Sequence, residues 1–189
     1  WNPLTYVSND PNFRVSDLMS IAQMLYPLSD NDQNKFFVSQ AQNVFLALSL
    51  YAFEQYAEAQ ASTPDTAHLL KPTLRMIYRL GSGEGIDLKQ HLSGMAQATF
   101  LSQSARTAFA GILSQAEETF ASIMGSFKEP LLPWLNPVVD AATSGDDFLL
   151  TDVRKRKMTI YVGIQPNKLA ESRLIVNLFF SQLINQNTK

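Results

Sequence analysis

Cysteine is absent from the 189 residues, so the chain carries no disulfide, no thiol nucleophile and no cysteine-built zinc site, and a reducing compartment is permitted. Histidine is scarce: His68 and His91 are the only two, and neither belongs to an HExxH or HxxxH pattern, which argues against a metal centre. Glycine is scarce as well, with 8 residues. Its one cluster, Gly81-Ser82-Gly83-Glu84-Gly85, follows a helical pattern where a phosphate loop follows a strand. It also carries Glu84 and lacks a Lys-Ser or Lys-Thr pair, so it reads as a flexible helix connection. The many serines include no GxSxG elbow. Glu117 and Glu118 are neighbours that point about 100° apart on a helix, which gives them no convergent acid–base geometry. Asp146-Asp147 lacks the alternating oxygen ligands of a calcium loop and reads as a helix cap or solvated turn. No catalytic, cofactor-binding or metal residue is assigned.

Long apolar runs are missing too. The richest stretch, residues 36–57, is broken by Ser39, Gln40, Gln42, Asn43, Ser49 and Glu54, so no membrane-spanning segment is expected. The chain opens on Trp1-Asn2-Pro3-Leu4 with no basic n-region or small-residue cleavage site, and it reads as a piece of a longer protein. Fifteen basic against 17 acidic side chains give a net charge of −2, unlike a protein that coats nucleic acid.

What is present is helical patterning with an uneven charge. Residues 1–150 hold 8 basic and 15 acidic side chains, and residues 151–189 hold 7 and 2, so two structural units are expected to meet near residue 150. Asn9-Asp10-Pro11-Asn12 reads as a turn, with Ser16 or its neighbours capping a first helix that Pro27 stops. Asp30-Asn31-Asp32 offers cap oxygens to a long second helix with Phe37, Ala41, Val44, Leu48 and Tyr51 on one stripe. A second stripe, Leu46, Leu50, Phe53 and Ala57, predicts that the C-terminal half of this helix lies between layers. Pro72 introduces a third helix ending at Gly81. A weaker helical pattern over 86–100 leads into Leu101, Ala105, Phe109, Ile112, Ala116, Phe120, Ile123 and Phe127, the stripe of one helix. Its reverse face carries Ser104, Thr107, Gly111, Ser114, Glu118, Ser122 and Gly125. After the prolines around Trp134, the β-branched run 158–164 predicts a buried strand and 167–186 a helix, a strand–helix unit of the kind found in α/β folds. The fold class is mainly α: a multihelical domain over 1–150 and a strand–helix remnant of a nucleotide-binding-type α/β domain over 151–189.

Taken in order, Trp1-Asn2-Pro3-Leu4, Ile21-Ala22 with Pro27, Phe36-Phe37 leading to Ala41, Ser126-Phe127, Trp134, Pro137-Val138, Ala142-Thr143, Asp147-Phe148 and Thr159-Ile160-Tyr161 to Pro166 form an arrangement that resembles the type IV coupling protein family. The resemblance runs across nearly the whole chain. One departure is Phe36-Phe37-Val38 with Gln40-Ala41-Gln42, where many members have a Trp after the paired aromatics and then Ser-Ala-Arg; a role tied to that arginine is not carried over. The resemblance implies a membrane-anchored, hexameric, DNA-translocating ATPase of conjugation and type IV secretion, working with ATP and Mg at the cytoplasmic face of the bacterial inner membrane. It further implies that 1–150 is the all-α domain inserted into a RecA-like nucleotide-binding domain and concerned with substrate recognition. The phosphate-binding and acidic metal-binding motifs of such an ATPase map to no position here, so this segment is expected to hydrolyse nothing and to hold no cofactor.

Two surfaces are candidates for function. Glu117 and Glu118 with Ser114 and Ser122 form a small, acidic face suited to docking a relaxase, a relaxosome accessory protein or a secreted protein substrate. Arg154, Lys155, Arg156 and Lys157 form the one compact basic run and are candidate contacts to DNA phosphates, in keeping with the likeness in fold between this family's all-α domain and recombinase DNA-binding domains. A purely structural spacer in the hexamer is the third reading.

Overall fold

The stretch from Ala41 to Phe53 is apolar on nearly every side, and in the computed structural model it forms the middle of a central helix around which the others pack. The structure describes residues 1–28 and 32–188, without the side chains of Asp32, Gln33 and Glu84. Among these residues there are nine α-helices and no strand.

Helix α1 (Pro11–Leu25) begins earlier than its stripe suggests. Asp10 caps it by accepting the Asn12 N–H at 2.9 Å, and Pro11 occupies the first helical position, where its missing N–H costs nothing. The expected turn at 9–12 is therefore a helix start, and Ser16 lies inside the helix. Helix α2 (Asp32–Ser62) buries Ala41, Val44, Phe45, Ala47, Leu48, Leu50, Ala52 and Phe53 against α1 and later helices. The expected cap oxygens of Asp30, Asn31 and Asp32 lie outside the described residues. Of the second stripe, Leu50 and Phe53 are buried and Leu46 packs against the core as expected, but Ala57 is exposed, so the enclosure does not extend along the whole C-terminal half. By length and composition Asn34–Ser62 is apolar enough to cross a membrane, but 56% of its most apolar window is covered by this chain's own helices.

After α3 (Pro64–Ala67) and a 3-10 turn at His68–Leu70, helix α4 (Leu74–Leu80) is capped by Thr73, whose Oγ1 accepts the Met76 N–H at 3.2 Å. Pro72 precedes the cap. Gly83 and Gly85, at φ of 73° and 91°, turn the chain into α5 (Leu88–Ala96), which Asp87 caps at Gln90 N. The stripe from Leu101 to Phe127 belongs to two helices, α6 (Gln103–Leu113) and α7 (Glu117–Lys128). The chain leaves the helix at 114–116 and re-enters so that Ile112, Phe120, Ile123 and Phe127 all remain buried; the apolar spacing survives a break that it conceals. Both helices pack on α2.

A 3-10 segment at Glu129–Leu135 inserts Leu131 and Trp134 into the core, and Trp134 Nε1 donates to Thr143 Oγ1 at 2.9 Å just beyond α8 (Pro137–Ala142). Helix α9 (Leu169–Asn187) lies against α1, the Pro3–Tyr6 turn and the 3-10 turn Leu150–Arg154. Residues 158–164 do not form the expected buried strand. They have no regular secondary structure, and Tyr161 is 90% exposed. A strand exists only with a partner to satisfy its backbone groups, and no described segment supplies one.

The opening residues join distant parts of the chain. Asn2, fully buried, donates through Nδ2 to Pro72 O at 2.9 Å, accepts Leu4 N–H on Oδ1 at 3.0 Å, and gives its own N–H to Asp146 at 2.8 Å. Gln182 of α9 accepts from Trp1 Nε1 at 3.0 Å and donates to Pro3 O at 2.8 Å, while the Trp1 ring meets Phe179 edge-on at 5.2 Å. Asp146, expected as a cap or solvated turn, is instead a junction that also accepts from Thr5 Oγ1 and pairs with Lys71 at 3.6 Å.

Candidate docking surfaces

The first turn of α7 places Glu117 and Glu118 in solvent at the positive end of the helix, where carboxylates are favoured. Lys89 of α5 reaches across to Glu117 at 3.4 Å and donates to Gln115 O at 2.8 Å, so the approach of α5 fixes one edge of the acidic turn. Ser114 and Ser122 are exposed as well, but Ser114 terminates α6 while Ser122 lies on α7. The four residues form the rim of a helix–helix corner and not one continuous face.

That break also divides the small-residue face. Ser104, Thr107 and Gly111 line a groove of about 440 Å3 opposite Gln40, Asn43 and Leu46 of α2, whereas Glu118, Ser122 and Gly125 lie on α7. A methyl group at Gly111 or Gly125 meets nothing within 4 Å, so packing within this chain does not require glycine at either position.

Arg154, Lys155, Arg156 and Lys157 are all exposed at the end of the 3-10 turn that supports α9. Three have engagements inside the chain. Arg154 donates to Asn187 O at the C-terminal end of α9, where a cation is electrostatically favoured. Asp152 pairs with Arg156 at 3.3 Å and with Lys155 at 4.0 Å. The cluster is thus partly committed to holding α9, and its net positive field is smaller than four adjacent cations suggest.

A third surface was not assigned from the sequence. Between α4, the turn before it and α5 lies a cleft of about 540 Å3 lined by His68, Lys71, Arg75, Arg79, His91 and Asp140. Both histidines of the chain and three of the eight Lys and Arg in residues 1–150 meet there. Arg75 pairs with Asp140 at 3.2 Å, and His68 Nδ1 lies 3.1 Å from Asp65 O. The signal was present as Arg75 and Arg79, four residues apart on α4, with Lys71 just before its cap, but the acidic total of the body obscured it. Among the described residues no three His, Asp or Glu side chains gather as metal ligands.

Comparison with known proteins adds a family. The model for type IV secretory system conjugative DNA transfer matches residues 1–188. The protein VirD4 of Rhizobium radiobacter is 30% identical over 117 residues, covering 60% of this chain and 16% of that protein. The protein VirD4 of Agrobacterium fabrum is 29% identical over 119 residues, covering 60% and 17%. The chain matches about one sixth of the length of these curated relatives.

Proposed function

The chain belongs to the type IV secretory system conjugative DNA transfer family, the type IV coupling proteins, and on that footing we propose that its helical body is the module that recruits transfer substrates to the secretion channel. In this reading residues 1–150 dock a relaxase, a relaxosome accessory protein or a secreted protein. Residues 151–189 belong to the RecA-like nucleotide-binding domain of a hexameric, DNA-translocating ATPase at the cytoplasmic face of the inner membrane. ATP and Mg are bound by parts of that protein other than this segment.

The observation that carries the reading is the exposed acidic turn of α7, Glu117 and Glu118, held in place by Lys89 and free of any core role. An acidic rim on a rigid helical corner steers and orients a basic protein partner. The pair Glu117→Gln and Glu118→Gln tests it: affinity for the cognate relaxase, measured by titration well below the melting temperature, is expected to fall while the helical circular dichroism is retained. Unchanged affinity removes this surface from the account.

Direct DNA contact through Arg154, Lys155, Arg156 and Lys157 is the second reading, favoured by the exposure of all four cations. It requires duplex affinity that falls steeply with salt and weakens when these four residues are neutralised.

A further inference from the structure

We propose that a pocket at the C-terminal end of α7 takes an arginine side chain, flanked by aliphatic residues, from a protein that docks on the helical body. The pocket, of about 340 Å3, lies where the end of α1, the first turns of α2 and the end of α7 meet. Tyr26, Pro27, Phe37 and Pro130 give it apolar walls, and Ser126 and Glu129 lie on its polar side. Tyr26 spends its hydroxyl on Phe127 O at 2.9 Å, so it offers ring surface and no free donor. Asp140 in the α4 cleft and Asp17 in the cleft between α1 and α9 also line cavities, but both are engaged: Asp140 pairs with Arg75, and Asp17 accepts the Ser8 N–H at 2.9 Å. Glu129 is exposed, and among the described residues no hydrogen bond or ion pair engages its carboxylate. No Lys, Arg or His lines this pocket, and Lys128, the neighbour of Glu129 in sequence, lies outside it. The cation that the pocket complements has to come from another molecule.

A guanidinium suits these walls better than an ammonium. Its fork pairs with a carboxylate through two hydrogen bonds, its plane lies against an aromatic face, and its methylene stem rests on apolar surface. The apolar surface also continues beyond the pocket. Leu28, 59% exposed, follows Pro27, and Phe36, 46% exposed, meets the Phe37 ring edge-on at 5.3 Å. Aliphatic neighbours of the arginine therefore have something to cover, which turns a single charge contact into an anchored one. A nucleic acid fits poorly, because its phosphates would meet an unpaired carboxylate and no cation.

The inference rests on the reading of the body as a docking module and adds an anchor separate from the acidic corner. Glu117 and Glu129 stand at opposite ends of α7, about 18 Å apart at 1.5 Å per residue, so either surface can fail without the other. The test is titration of the whole chain, its backbone amides followed by heteronuclear NMR, with three capped peptides. One carries a single Leu-Arg-Leu in a Gly-Ser frame, one has the neutral isostere citrulline for the arginine, and one has Ser for both leucines. The Leu-Arg-Leu peptide is expected to shift the amides of Phe37, Ser126 and Glu129 saturably, and to bind more weakly as salt rises. The citrulline peptide is expected to lose about tenfold in affinity, as is Glu129→Gln toward the parent peptide, in the range of one charge-assisted contact. The Ser-Arg-Ser peptide is expected to bind several-fold more weakly. Ser126→Leu fills the pocket from a half-buried position outside the core and is expected to abolish the shifts, while Glu117→Gln/Glu118→Gln leaves them unchanged. No saturable shift at these amides, equal binding of the citrulline or the Ser-Arg-Ser peptide, full affinity in Glu129→Gln or Ser126→Leu, or loss of binding in Glu117→Gln/Glu118→Gln each overturns the assignment. The relaxase titration reads the acidic corner alone, so failure of one surface is told apart from failure of the other.

Discussion

Replacing Asn2 is expected to destabilise the whole fold, although it is the second residue of the chain. Its side chain serves two buried backbone groups at once: Oδ1 accepts the Leu4 N–H at 3.0 Å and Nδ2 donates to Pro72 O at 2.9 Å. In Asn2→Ala the loss of the cap costs about 1 kcal/mol. The carbonyl of Pro72, left buried without a donor, costs about 1–3 kcal/mol more. The sum, about 2–4 kcal/mol, corresponds to a drop in melting temperature of about 4–16 °C for a chain of this size. Asn2→Asp separates the two roles. Aspartate caps as well as asparagine, so if capping were the whole contribution this variant would match the parent. With its donor gone and a carboxylate turned toward Pro72 O, close to Asp146, it is expected to be no more stable than the alanine variant. Urea unfolding followed by circular dichroism measures both. An Asn2→Asp chain as stable as the parent, or an Asn2→Ala chain within about 0.5 kcal/mol of it, refutes the reasoning.

Three further outcomes follow from the core. Gly81→Ala drives a methyl group into the Phe127 ring and to 3.1 Å from Leu48 Cδ1, so denaturant unfolding is expected to show a loss of about 1–3 kcal/mol, and no loss would mean the helices are free to separate there. Ser49 is fully buried on α2 with a hydroxyl that has no hydrogen-bond partner among the described residues, and Ser49→Ala is expected to gain up to about 1 kcal/mol; a loss in the same assay contradicts the assignment. Burial holds the Tyr26 phenol well above its ordinary pKa, so the folded state keeps a proton that the unfolded chain releases. Its contribution is complete below about pH 10 and is lost as pH rises toward the folded value, and Tyr26→Phe is expected to flatten that alkaline decline while costing about 1 kcal/mol at neutral pH for the lost bond to Phe127 O. An unchanged slope counts against it.

Periodicity made the helical layers legible, because one apolar face repeated over many turns has few other uses. The same periodicity hid the corner at 114–116, since Ile112 and Phe120 stay buried on both sides of a break that no Pro or Gly marks. At Asp10-Pro11 the residues that make a turn are also those that cap a helix and fill its first position, and only the structure distinguishes them. The run at 158–164 has strand composition, but a strand depends on its partner and not on the segment alone. Of the candidate surfaces, Glu117, Glu118 and the basic residues 154–157 are legible in the sequence because each group is contiguous. The α4 cleft needs His91 and Asp140 from other elements, and Asp152 reduces the basic run by contacts invisible in a linear charge count.

Recruitment of a protein substrate is tested most directly by the anisotropy of a labelled duplex from the cognate transfer origin, titrated with this chain at physiological salt, with and without the cognate relaxase. A saturable rise is expected when relaxase is present, exceeding the signal of relaxase or chain alone and diminished by Glu117→Gln/Glu118→Gln. A titration in which adding relaxase changes nothing would contradict it.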